Sequence, residues 1–516
     1  MIEDMPMQSF LKEVGLSTDY RRLLSNHVGC AEKSQRGYAN AHQNIREEIV
    51  KCLWFGGHYA TDGLKLDDGR RVEVLSPGWW NVESGPDFLK AELLIEDVGY
   101  LKGDVEVHTT TSAWWQHGHQ WQKDYNGVIL HVTLWSDGKK RPVQLQNGDT
   151  IPQLTLSKFV DEEIDELVEV VDMEGEAEIP NGTDSFDRYC KTAIKNGDLP
   201  LDRLGDLLDI AGDHRLHVKI DKMDSLLENN TPDQVLYQNL AEALGYKNNR
   251  MPFLQLAHCL PIKKLRELCP LDAGYEDKRH VIEAVFYGAG GFLETDANSN
   301  YDDQTREYRR SLLETWRSMP DSVRAHQMGK NHWNFADMRP SNHPLRRIAA
   351  LASLYAQHIN MGLFGRILKA IENAVPAKRR RLDTTLRDAV TDFFTSLSHP
   401  YWSRRYTFGT GERPEEIRLV GRGRAVDILI NVIIPLYAAY ACRERNKALA
   451  GRVVNIWMGL PRNGHNAVTG RMCRTMFGQN MGVINSTRRE QGLHQLYNDF
   501  CNAETGCEAC IITSLF

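Results

Sequence analysis

The sequence predicts an α+β/α chain: an N-terminal α/β domain followed by a mostly α-helical C-terminal region. Three observations carry this. Short apolar runs punctuated by Gly and Pro crowd residues 63–156. Leu-rich segments with a 3.6-residue apolar stripe dominate beyond residue 196. A carboxylate-dense stretch separates the two. The predicted organisation is an extension at 1–40, an α/β domain at 41–160, an acidic linker at 161–195 and a helical region at 196–516 that ends in a cysteine cluster.

In the first domain, AHQNIREEIVKCLWF (41–55) has helical apolar spacing and stops at Gly56-Gly57. Short extended segments follow at 63–66 and 70–75. The turn SPGWWNVESGPD then feeds the strand FLKAELLI, which hairpins to YLKGDVEVH across Gly99. TSAWWQHGHQWQKDYNG reads as a segment containing a helix. VILHVTLW is apolar enough for a buried central strand, and short strands at 141–145 and 151–156 complete the domain. Downstream, LPLDRLGDLLDIAG, QVLYQNLAEALGY, HPLRRIAALASLYAQHI and AVDILINVIIPLYAAYA read as helices. The last is apolar on most faces, as a central core helix is, and Pro435 kinks or splits it. GAGGFLE at 288–294 lacks the Lys of a phosphate loop and reads as a helix interruption.

The chain has 516 residues, 41% apolar and 25% charged, which excludes bulk disorder and low-complexity architectures. No apolar run is expected to reach the roughly 18–20 residues that span a bilayer, and the start MIEDMPMQSFLKE has no secretory pattern. A soluble cytoplasmic protein without membrane association is therefore expected. The net charge of −7 conceals an asymmetry. Residues 1–180 hold 17 Lys and Arg against 31 Asp and Glu, and the remainder holds 45 against 38. The basic part is the side better suited to a polyanion. Within it, Arg339, Arg346 and Arg347 and the Gly/Arg-rich stretches at 403–409 and 421–427 are candidates for reading phosphates.

The stretch GPDFLKAELLIEDVGYLKGDVEVH (85–108) is the most informative. In an extended strand Asp104, Glu106 and His108 project from one face while Val105 and Val107 project from the other. Asp87, after a Gly-Pro turn, opens the partner strand and can be aimed at the same spot. Gathered carboxylates suit Mg²⁺ or Mn²⁺. His117 and His119 follow, among Trp114, Trp115 and Trp121, and with His108 they offer the nitrogen ligands of a Zn²⁺ site. The tryptophans either fill the core or stack unpaired bases. His131, inside the apolar strand, reads as a hydrogen-bonded core residue.

These residues resemble the PD-(D/E)XK nuclease superfamily, whose core runs helix, hairpin, strand, helix, strand. Pro86-Asp87, Glu106-x-His108 and Glu47 or Glu48 on the preceding helix match its pattern, with His108 where the superfamily usually has Lys. The resemblance implies a restriction-endonuclease-like domain that hydrolyses phosphodiester bonds of DNA or RNA. Asp87, Asp104 and Glu106 would hold the divalent ion, His108 would position or deprotonate the nucleophile, and Glu48 would act from the helix. At the other end, His494, Cys501, Cys507 and Cys510 form H-x6-C-x5-C-x2-C, which suits a structural Zn²⁺ site. An iron–sulfur cluster is the alternative if Cys473 joins, and free thiols are the third.

Over nearly its whole length the chain also resembles a bacterial family known as domain of unknown function 2851. The likeness lies in GPDF, GDVEVH, W-x-x-H-G-H, ILHV, LGYKNN (244–249), MRPSNHP (338–344) and the terminal cysteines. Three functional readings follow: a metal-dependent nuclease, a non-catalytic nucleic-acid- or protein-binding scaffold on a decayed nuclease fold, and a zinc-dependent hydrolase using His108, His117 and His119.

Overall fold

The computed structural model describes residues 7–25, 47–56, 63–81, 84–138, 141–159, 201–294, 301–325, 327–336, 338–374, 382–462, 481–501 and 510–512. The chain divides into two compact units, Arg22–Ala177 and Met1–Arg21 with Glu178–Phe516. The acidic stretch at 161–195 and part of the 1–40 extension lie outside the described residues.

In the α/β unit, helix α1 (Glu47–Gly56) buries Val50, Leu53 and Trp54 at helical spacing. The Trp54 indole N–H donates to the Pro77 carbonyl at 3.0 Å, and Phe55 stacks on Phe88 with centroids 5.8 Å apart. The main sheet comprises β1 (Val72–Ser76), β2 (Trp79–Trp80), β3 (Phe88–Ile95), β4 (Gly99–Thr110), β5 (Val128–Trp135) and, after a two-stranded ribbon of β6 (Val143–Gln144) and β7 (Thr150–Ile151), β8 (Gln153–Thr155). Its order is β1-β3-β4-β5-β8, with β2 also on β3. β1, β3 and β4 pair antiparallel, while β4–β5 and β5–β8 are parallel. VILHVTLW therefore takes the interior place its composition predicts, with Val128, Leu130, Val132 and Leu134 buried between two neighbours.

A parallel pair needs a long crossover, and residues 111–127 supply it between β4 and β5. The helix expected there is a single turn, α2 (Ala113–Gln116), followed by two 3₁₀ turns. Gly118, left-handed at φ 76°, ends the helical path. The extended segment expected at 63–66 is reduced to one bridge, Lys65 to Arg71. The crossover also packs against part of the polar face of β4. Glu106 and His108 are buried there, as Val105 and Val107 are on the other face.

The second unit is helical. Its longest helix, Leu201–Asn229, meets Thr487–Leu496 at a glycine contact, where a Cβ on Gly492 would sit 1.9 Å from the Leu208 carbonyl oxygen. Asp213 is buried there, accepting from Trp457 at 2.9 Å, Arg488 at 2.5 Å and the Ser17 amide at 2.8 Å. The apolar segment around Pro435 is not split: the helical path runs on, widened by a π-helical turn at Leu429–Ile433 that precedes the helix Ile434–Arg443. Proline donates no amide hydrogen bond, and the wider turn makes room for its ring. Contrary to the reading of the apolar runs, the continuous helical stretch Arg422–Arg443 is long and apolar enough to cross a bilayer. Most of it is buried inside its own unit, as a core helix is.

The stretch 288–294 ends the helix Tyr275–Ala289 as expected, with Gly290 as its C-cap, while Gly288 lets the Trp316 ring lie against it. One further expectation changes here. Arg346 and Arg347 are not exposed phosphate readers. Both are buried, and Arg346 donates to the carbonyls of Trp402, Arg405, Ile417 and Arg418. Arg347 donates to the Leu419 carbonyl, the Tyr246 hydroxyl and Asn342. Together they fasten the segment 402–419.

On β4, a Cβ at Gly103 would lie 2.3 Å from the Ile129 side chain and 2.8 Å from the Gly127 carbonyl oxygen. Gly103→Ala is expected to destabilise the α/β unit by about 1–3 kcal/mol, an overpacking cost read as a lower urea midpoint.

Candidate functional site

The hairpin β3–β4 sets the site. Phe88 pairs with Val105, which brings Asp87, just before β3, beside Glu106. The Asp87 amide donates to Glu106 Oε2 at 3.0 Å, and Asp87 Oδ2 accepts from the Val107 amide at 3.0 Å. Asp87 Oδ1 forms a 2.6 Å ion pair with Lys51 of α1, which also reaches Glu47 at 3.1 Å. Glu48 lies on the same helix, with its side chain outside the described residues. Asp104 is engaged differently: its Oδ1 accepts from the Lys90 amide at 3.0 Å.

The other carboxylate oxygen, Glu106 Oε1, faces the imidazoles. It lies 3.2 Å from His119 Nε2 and 3.6 Å from His108 Nε2, and these two nitrogens are 3.3 Å apart. His117 Nδ1 lies 3.1 Å from His108 Nε2. The turn at Gly118 makes this possible by reversing the chain between His117 and His119, so that both rings face His108. His117 is exposed, while His108 and His119 are buried. Trp114 is fully buried with its ring 5.3 Å from His119, and Tyr125 packs on His119 at 4.0 Å, so both wall the site. Trp121 is 79% exposed.

Burial raises the Asp87 carboxyl to about 7, the Glu106 charge adding to the rise while the Lys51 ion pair opposes it. Burial likewise raises Glu106, to about 8. For Lys51 burial pulls down, but Asp87 and Glu47 overcome it and hold the ammonium well above its ordinary value. Burial lowers His108 well below the usual imidazole range, with the neighbouring histidines adding to this, and also lowers His119. The lowering of His108 and His119 favours their neutral form, which is the form that ligates metal.

Glu106 Oε1, His108 Nε2 and His119 Nε2 form a triangle with edges of 3.2, 3.3 and 3.6 Å. A tetrahedral zinc with ligands at 2.0–2.1 Å has edges of about 3.4 Å, so these donor spacings are of the size a small divalent cation takes. His108, His117 and His119 also satisfy the spacing of a three-ligand group, their donor atoms lying within 4.8 Å of one another. This nitrogen-rich set suits Zn²⁺ or Mn²⁺ better than Mg²⁺.

Two residues were missed from the sequence: Lys51, and Gln153 of β8, whose side-chain oxygen lies 3.1 Å from His131 Nδ1. The i,i+4 spacing of Glu47 and Lys51 was visible, but its direction toward Asp87 was not. His131 is a buried, hydrogen-bonded residue, as predicted, with His108 at 2.9 Å on its Nε2 side. At the carboxyl end, His494 and Cys510 are buried. His494 is lowered to about 3 by burial, with Arg215 and Lys219 adding to it. Cys507, Cys473 and the Cys501 side chain lie outside the described residues.

The α/β unit is thus a mixed sheet that carries a buried carboxylate–imidazole cluster beside its β4–β5 parallel pair. The chain belongs to the family described as "Protein of unknown function (DUF2851)", which matches residues 47–466. No curated protein and no solved structure matches it.

The raised carboxyls bind protons more tightly in the folded than in the unfolded state, so their stabilisation is lost as pH rises through about 7 to 8. The lowered histidines act oppositely, with their stabilisation lost as pH falls below roughly 6.5. Above that pH only the carboxyls contribute. Calorimetry in chelator should show the melting midpoint falling from pH 6.5 to 9, with a shallower fall in Glu106→Gln.

Proposed function

We propose that the α/β unit is a metal-dependent phosphodiesterase of the nuclease kind. The observation that carries this is the convergence of Glu106, His108 and His119 beside the Asp87–Lys51 ion pair. Support for the substrate class comes from the element order. A helix precedes an antiparallel set, β1, β3 and β4, and a crossover then leads to a parallel strand, β5. That order resembles the PD-(D/E)XK core, in which the acids occupy the positions of Asp87 and Glu106.

In this reading the cation usually carried on the third core strand comes instead from α1, as Lys51, and His108 becomes a ligand. A bound divalent ion would acidify a water and stabilise charge on a phosphoryl oxygen. Glu106, oriented by the Asp87 amide, supplies the anionic donor. Lys51, held by Asp87 and Glu47, offers a fixed positive charge to a phosphate oxygen. His117 is the exposed imidazole of the three and meets solvent at the edge of the cluster. Trp121 offers an exposed ring for stacking an unpaired base. The nitrogen-rich donors also favour the zinc-hydrolase reading, in which tight zinc retention would accompany cleavage of some other bond.

Incubating the full chain with single- and double-stranded DNA and RNA in Mn²⁺ or Zn²⁺ tests the proposal. Cleavage is expected with metal and not with chelator, and Glu106→Gln or His108→Ala should lower it at least about 100-fold. Lys51→Met should lower kcat more than metal affinity. Tight metal binding without phosphodiester cleavage would favour the zinc hydrolase, and no metal binding would favour the scaffold.

A further inference from the structure

The geometry points to a hydrogen-bond relay, Asp67–Gln153–His131–His108, that fixes the His108 tautomer and presents an unprotonated Nε2 to the metal position. This rests on the metal-site reading of the same cluster and adds positioning residues to it.

The relay starts at a charge. Asp67 pairs with Lys158 at 2.6 Å and accepts from Thr155 at 2.8 Å. Its Oδ2 also faces Gln153 Nε2 at 2.7 Å, and its own amide donates to the Gln153 carbonyl at 2.8 Å. An ionised carboxylate only accepts, so the nitrogen of the Gln153 amide must be the atom facing it. The Gln153 oxygen is thereby turned to His131 Nδ1, 3.1 Å away, and an amide oxygen only accepts. His131 must then carry its proton on Nδ1, leaving Nε2 bare. That bare nitrogen lies 2.9 Å from His108 Nδ1, which must donate. A neutral imidazole has one proton, so His108 Nε2 holds a lone pair. It is this atom that Glu106 Oε1, His117 Nδ1 and His119 Nε2 surround.

Each step crosses one strand. His108 is on β4, His131 on β5 and Gln153 on β8, and the register pairs Glu106 with His131 and His131 with Gln153. The two parallel junctions of the sheet thus transmit a choice made at Asp67 to the cluster. His131 and His108 are both fully buried, so water does not compete for the bond between them. Outer partners of this kind fix ring orientation in metal sites, and their loss typically costs 10–100-fold in metal affinity.

The test uses the full chain labelled with ¹⁵N-histidine, first free of metal. The nitrogen spectrum should show His131 and His108 each protonated on Nδ1 alone. Zn²⁺ affinity is then measured by chelator competition. Gln153→Leu should mix the tautomers and weaken Zn²⁺ binding by about 10–100-fold. The reciprocal swap Asp67→Asn with Gln153→Glu keeps the charge and restores an acceptor for His131, so it should return affinity close to that of the parent. His108 protonated on Nε2 in the parent protein overturns the relay. So does Gln153→Leu with unchanged tautomers and affinity, or a swap no better than Gln153→Leu, which would mark a packing role. The predicted tautomers without Zn²⁺ binding would uphold the relay and refute the metal reading beneath it.

Discussion

The α/β unit depends on one constraint: Glu106 and His108 on β4 are buried, so each of them needs a partner. A carboxylate and an imidazole taken out of water without compensation would cost several kcal/mol. Glu106 has the Asp87 amide on one oxygen and imidazoles on the other, and His108 has His131 behind it and two histidines in front. The crossover 111–127 imposes the burial and also supplies His117 and His119. One segment thus creates the electrostatic difficulty and answers most of it.

The remaining charge balance comes from α1. Lys51 compensates Asp87, yet both carboxyls stay raised by burial, so the cluster is short of positive charge at neutral pH. A divalent cation would relieve that shortage directly. Structural ion-pair networks also perturb carboxyls, but they do not ordinarily assemble three imidazoles with their donor atoms within 4.8 Å of one another. The histidines separate a candidate centre from a buried salt bridge.

The helical unit uses its charged residues differently. Arg346 and Arg347 spend their donors on backbone carbonyls, a hydroxyl and an amide oxygen, and so hold an irregular segment whose own backbone would otherwise lack partners. Asp213 does the same for the amide at Ser17 and for Trp457 and Arg488. A basic composition in this half of the chain is therefore partly interior construction. Its positive sum overstates what is available at the surface for a polyanion.

Periodicity and turn chemistry by themselves determined the helix at 47–56, the β3–β4 hairpin, the central place of VILHVTLW and the sharing of one strand face by Glu106 and His108. All of these follow from residues close in the chain, where side-chain direction is set by the repeat of a strand or helix. Only the tertiary structure decided that Lys51 points at Asp87, that His131 backs His108, that Gln153 stands behind both, and that Arg346 is interior. Those contacts cross between elements 20 or more residues apart. A one-dimensional pattern carries no information on which strand lies beside which. The parallel pairing of β4, β5 and β8 is what places an amide, two imidazoles and a carboxylate in line.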